Sequence, residues 1–139
     1  MWNDTWFVSD AELGMSAATP EGDLRVVANE RSLDELEETR DAAHRDLLVQ
    51  RTYQAPGGKG CVMFFLTGGR AHSKSTLLTL GFSEEAGLAA RRLVRFFDYG
   101  LLDNAAIIRV LNELIIARRQ ANRLEDEAIE RVRGAIALK

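Results

Sequence analysis

Two glycine-rich segments carry most of the side chains that could bind an anion. They span residues 55–60 and 68–74, on either side of the apolar run 61–66. Basic and hydroxyl side chains beside free backbone amides are the groups that an anionic ligand needs. We therefore predict an anion site in these loops, with a pair of solvated turns as the alternative interpretation. Its candidate residues are Lys59, Arg70, His72, Ser73, Lys74 and Ser75.

The run from Gly68 to Ser75 also has part of the pattern of a phosphate-binding P-loop. It follows an apolar run and ends in Lys-Ser, as that motif does. Ser73, however, stands where the motif requires its second glycine. The chain after Ser75 is also too short for the sheet of a nucleotide-hydrolysing enzyme. This interpretation is therefore rejected.

Three residues further along the chain could border a ligand groove between subunits: Arg95, Tyr99 and Arg109. An aromatic ring beside guanidinium groups suits a nucleobase and its phosphate. The alternative is that these arginines lie on exposed helix faces and meet water or a nearby acid. The sequence leaves both interpretations open.

Side chains for catalysis or metal binding are sparse. Cys61 opens an apolar run with no base in view, and His72 and Ser73 are chain neighbours, which does not give a base and a nucleophile their geometry. Two histidines and one cysteine, far apart, offer no metal-ligand spacing. We therefore predict no catalytic residue, no metal site and no cofactor, and a small enzyme is the function we favour least.

Charge is distributed unevenly along the chain. The net charge is −3, yet residues 1–50 carry 12 acidic and 4 basic residues, whereas residues 51–123 carry 11 basic and 5 acidic ones. Either the two segments neutralise each other across the fold or between copies, or the basic middle attracts an anion. Binding to duplex nucleic acid is disfavoured, because the chain is acidic overall and has no long basic stripe.

The first 82 residues predict a small antiparallel sheet covered by one helix. Apolar and polar residues alternate over 13–18 and 24–28, which predicts a hairpin, with 5–8 as an extra strand. Ser32 and Glu35 form a capping pair at the start of a helix to about Arg51. The apolar run 61–66 is typical of a central strand, and 75–82 of another.

From Ser83 onward the apolar period becomes helical, which predicts an antiparallel helical hairpin. The first helix covers 83–99 and stops at Gly100, and Asp103 caps the second. The second helix is longer than its partner can cover, so we expect a second copy to shelter it, the alternative being the chain's own sheet. The expected interface residues are Ile107, Val110, Leu114, Ala117, Ala121, Leu124, Ala128 and Ala135.

Together these patterns predict an α+β fold in one domain, 1–139, with a sheet-plus-helix part (1–82) and a helical hairpin (83–139). This layout is similar to that of small phage proteins that trap nucleotide signals at subunit interfaces, a similarity of architecture that assigns no residue a role. We expect a non-enzymatic homo-oligomer that captures an anionic, nucleotide-like ligand between subunits. The alternative is an assembly adaptor that acts through its last helix. One cysteine and no apolar run of membrane-spanning length favour the cytoplasm.

Overall fold

The computed structural model describes residues 9–69 and 81–137, and these are mainly helical with one two-stranded antiparallel sheet. The α+β class is thus confirmed in outline, and these described residues contain less strand than expected for them. In chain order the elements are α1 (Asp10–Leu13), a 3-10 turn (Met15–Ala17), α2 (Pro20–Asn29), α3 (Leu33–His44), β1 (Gln54–Ala55), β2 (Lys59–Gly60), α4 (Val62–Leu66), α5 (Glu84–Asp98) and α6 (Asn104–Ala137).

The hairpin expected over residues 13–18 and 24–28 is wrong, because the second of these segments belongs to α2. Thr19 caps this helix by accepting a hydrogen bond from the backbone N–H of Gly22 at 3.1 Å. Pro20 occupies the first helical position, where a missing N–H costs nothing. Leu24, Val27 and Ala28 then fall on one helix face and are fully buried.

Helix α3 begins as expected and ends earlier than expected. The reciprocal cap is confirmed, since Ser32 Oγ accepts from the N–H of Glu35 and Glu35 Oε1 accepts from the N–H of Ser32, both at 3.2 Å. The helix stops at His44 rather than near Arg51. Asp46 takes a positive φ of 57°, and the N–H of Leu47 folds back to the carbonyl of Ala42 at 2.9 Å.

The central strand expected at 61–66 is also wrong, because residues Val62–Leu66 form the short helix α4. Four of the five side chains of α4 are buried, which explains why this short helix is apolar on every side. The sheet is instead the small hairpin β1–β2, in which Gln54 pairs with Gly60. The strands expected at 5–8 and, except for its last two residues, 75–82 lie outside the described residues.

Helices α5 and α6 occur where the sequence predicts them. Ser83 Oγ caps α5 through the N–H of Ala86 at 3.1 Å, and Gly100 ends it with a φ of 75°. Asp103 Oδ1 accepts from the N–H of Ala106 at 2.8 Å at the start of α6. The two do not form the expected hairpin as a packing unit, since α5 packs mainly on α2, and α6 on α3 and α2.

Within residues 9–69 and 81–137, a hydrophobic core joins the two halves of the chain. It includes Leu24 and Leu36 from the first half and Leu93, Ile107 and Ile115 from the second. The core therefore ends at about one third of the length of α6, a helix of 34 residues that extends for about 51 Å. Of the helices in ranges 9–69 and 81–137, none is long and apolar enough to cross a lipid bilayer.

Candidate interaction surface

The main candidate surface is the part of α6 that lies beyond the core. We call residues 117–137 the distal segment. Every residue in it is exposed except Arg118 and Ala128, which are half-buried. Its large apolar side chains include Leu124, Val132 and Ile136, which are 54%, 59% and 65% exposed. Large apolar side chains exposed on one segment of a helix are typical of a docking surface.

The apolar side chains of the distal segment cluster on one face of the helix. Ala128, Ile129, Ala135 and Ile136 all lie three or four residues from Val132, so they surround it on neighbouring turns. We call this group with Leu124 the distal stripe. Sequence reasoning missed Ile129, although its position three residues before Val132 is a helical signal.

The distal stripe continues the buried face of the same helix. Steps of three and four residues lead from Ile107 and Val110, both fully buried, through Leu114 to Ala117, Ala121 and Leu124. Helices α2 and α3 cover this face over its first turns. The same face is exposed from residue 117 onward. The apolar pattern therefore continues along α6 beyond the part that α2 and α3 cover.

The expected interface residues therefore fall into two groups. Ile107 and Val110 are in the core of their own chain and are not accessible to a second copy. Leu114 is half-buried against the same core. The remaining five, all in the distal segment, are Ala117, Ala121, Leu124, Ala128 and Ala135.

The expected ligand-binding residues are only partly described. Arg70, His72, Ser73, Lys74 and Ser75 lie outside the described residues. Lys59 is exposed on β2.

The other three expected ligand residues face carboxylates of their own chain. Arg95 binds Asp10 at 2.7 Å, and the hydroxyl of Tyr99 lies 3.4 Å from the same carboxylate. Arg109 binds Glu21 and lies 3.9 Å from Glu113. The structure thus brings Arg95 and Tyr99 together and gives Arg109 separate partners.

A surface depression of about 420 Å³ adjoins Arg95 and Tyr99, with Arg51 and Asp98 in its lining. The backbone N–H of Arg51 donates to Asp98 Oδ1 at 2.7 Å. Burial raises the pKa of Asp98, although that hydrogen bond and the nearby guanidinium groups oppose the shift. Two cationic side chains, an exposed ring and two carboxylates therefore share this patch.

Ion pairs connect the acidic beginning of the chain with its basic middle. Arg92 binds Asp23 with Nε and a terminal nitrogen at 3.0 Å each, and it also donates to the carbonyl of Leu13. Arg119 binds Glu37 at 2.9 Å. These contacts support the interpretation that the two charged segments neutralise each other across the fold.

The described residues show little that could perform chemistry. Burial raises the pKa of the Cys61 thiol to about 12, so its nucleophilic thiolate is rare at neutral pH. Within residues 9–69 and 81–137, no group of three or more His, Cys, Asp or Glu side chains is placed to hold a metal ion. Comparison with protein-family models, with curated proteins and with solved structures finds no match.

Proposed function

We propose that this protein is a non-enzymatic assembly protein that associates with a second copy of itself through the distal segment. The observation that carries the proposal is an apolar stripe on about 21 residues of helix without a covering element among the described residues. Most of the stability of a helix in a protein comes from packing of its apolar face against other elements. Burying the stripe against another helix would stabilise the helix and remove apolar surface from water at the same time.

The charges around the stripe favour a second copy over a charged surface. The distal segment carries five arginines and four acidic residues, so its own net charge is +1. A helix that binds anionic lipid has a strongly basic polar face, which this segment lacks. A nearly neutral segment of mixed charges is instead compatible with a copy of itself, since neither copy repels the other as a whole.

A matched pair of substitutions tests this proposal. Val132→Asp places a charge in the distal stripe and should shift the protein from dimer to monomer in light scattering at micromolar concentration. Gly134→Asp adds the same charge two residues away, on the opposite face, where an added side chain meets nothing within 4 Å. It should leave the dimer intact. A monomeric unsubstituted protein at micromolar concentration would contradict the proposal.

A second candidate function, capture of an anionic nucleotide-like ligand, is favoured by the patch around Arg51, Arg95 and Tyr99. Guanidinium groups beside an exposed ring can hold a phosphate and stack on a base. A phosphate must compete there with Asp10, which already binds Arg95.

Thermal shift against a panel of nucleotides and cyclic nucleotides tests the second candidate. A ligand that binds only the native state raises the melting temperature. Arg51→Ala removes a guanidinium while keeping the backbone hydrogen bond to Asp98, and it should abolish the shift. Arg123→Ala, on the distal segment, is the control and should retain it. A panel without any shift would leave assembly alone as the function.

A further inference from the structure

We propose that the two copies pair antiparallel through their distal segments, with the two-fold axis near residue 126. This inference rests on the proposed function and adds the orientation and register of the partner. It follows from where α2 and α3 lie, from the place of Arg131, and from the spacing of the exposed positions 117, 121, 124, 128, 131 and 135, which we call the seam.

A parallel pair of α6 helices would meet a steric conflict. Helices α2 and α3 cover the face of α6 that continues as the distal stripe, and its buried residues end at Ile115. The long side chains of Arg118 and Arg119 reach back to the carbonyl of Arg31, just before α3, and to Glu37 in α3. In a parallel, in-register pair the stripes face each other, so the α2 and α3 layers of both copies would meet between the two α6 helices. Paired helices are about 8–10 Å apart, and a helix is itself about 10 Å wide, so this gap cannot hold them.

Splaying of the helices does not remove this conflict. Ten residues separate the open seam at Ala117 from the buried Ile107, which is about 15 Å along the axis. A coiled-coil crossing angle of about 20° adds only about 5 Å of separation over that distance. In an antiparallel pair, by contrast, the two sets of covering helices lie at opposite ends.

The spacing of the seam is symmetric about residue 126. Its exposed positions in the distal segment are 117, 121, 124, 128, 131 and 135. With the axis at residue 126, Ala117 faces Ala135 of the second copy, and Leu124 faces Ala128. Each seam position then has a counterpart. The end of α6 in the second copy, at residue 137, lies opposite about residue 115 of the first copy, at the edge of the face that α2 and α3 cover.

Arg131 carries a charge within the seam and is exposed. A parallel pair would set the two Arg131 guanidinium groups against each other in the interface. In the antiparallel pair Arg131 faces the small Ala121 of the second copy, one turn from the acidic Glu125. The repulsion of like charges at one seam position therefore disfavours the parallel pair.

Single cysteines distinguish the two orientations. Ala117→Cys and Ala135→Cys are made separately in the full chain carrying Cys61→Ala, and each is oxidised alone and as a mixture. In the antiparallel pair the two positions meet across the interface, whereas each lies about 27 Å from its own counterpart. A covalent dimer should therefore form in the mixture and in neither variant alone.

The other outcomes separate this inference from the proposed function. Covalent dimers of each variant alone would show a parallel pair, which overturns the orientation and leaves self-association standing. A dimer in light scattering without any disulfide would overturn the register. A monomer in light scattering would overturn both the orientation and the proposed function.

Discussion

Arg31 shows how much of this fold depends on a single buried charge. Its side chain is only 5% exposed, donates to the carbonyl of Leu66 at 2.8 Å and binds Glu35 at 2.6 Å. Its guanidinium also lies 4.8 Å from the ring centre of Phe82. Through these contacts one side chain connects the start of α3 with the end of α4 and the approach to α5.

Arg31→Ala should destabilise the protein by about 3–5 kcal/mol, because it removes the cationic partner of the largely buried Glu35 and the donor to the buried carbonyl of Leu66. Denaturation in urea measures this loss. The control is Arg133→Ala, whose pair with Glu130 is about three-quarters exposed on both sides and should change the free energy of unfolding by less than about 0.5 kcal/mol. Equal unfolding midpoints for the two variants would show that Arg31 is not an anchor.

Glu35 should make the free energy of unfolding depend on pH. Burial alone would raise its pKa, but hydrogen bonds from Arg31 and Ser32 outweigh this and hold the pKa below its ordinary value of 4.5. When folding lowers the pKa of a carboxyl group, its ionised form stabilises the folded protein at pH values above the unfolded-state pKa. This stabilisation is lost as the pH falls through the folded-state pKa. The Glu35→Gln variant should therefore be less stable than the unsubstituted protein at pH 7. The difference between their free energies of unfolding should become smaller below pH 4.5, as measured by urea titrations at several pH values.

At the scale of elements, capping residues indicate a helix where a short apolar pattern is compatible with both helix and strand. Residues 24–28 satisfy a strand's alternation and a helix's spacing equally, and the run 61–66 is too short to separate a buried strand from a buried helix. The capping hydroxyl of Thr19 followed by Pro20 was the missed signal. The long apolar repeat of α6 had no such ambiguity, and the prediction of that helix is confirmed.

Thr19→Ala should cost about 1 kcal/mol of stability, because the N–H of Gly22 loses its partner at the start of α2. Thr19→Ser keeps the hydroxyl and should retain most of that stability. Chemical denaturation of both variants measures the difference. If they unfold alike and both resemble the unsubstituted protein, the cap does not stabilise α2.

Contacts between elements were beyond prediction for a physical reason. Arg95 and Asp10 are 85 residues apart in the chain, and Arg109 and Glu21 are 88 apart. Nothing local in the sequence specifies such pairs, which depend on how α1, α2, α5 and α6 pack. Sequence reasoning therefore found cationic side chains that could hold an anion but not the carboxylates that already hold them.

For the molecule as a whole, the core and the distal segment should behave as separate contributors to stability. The core includes residues from Leu24 to Ile115 and none from the distal segment. A chain ending at Gln120 keeps the contacts of Arg118 and Arg119 with α3 and its cap region. It should unfold with nearly the same free energy as the monomer of the full chain and should be monomeric in light scattering. Global unfolding of the shortened chain would contradict this division.

The arginines of the distal segment have a consequence for proteolysis. Trypsin cleaves after arginine, and a helix without tertiary contacts opens locally at little cost in free energy. Cleavage after Arg123, Arg131 and Arg133 should therefore be fast in dilute protein and should release small peptides from an intact remainder. If copies shelter one another, the same bonds become protected as the concentration rises, so the digestion rate of this tail reports how much of the protein is assembled.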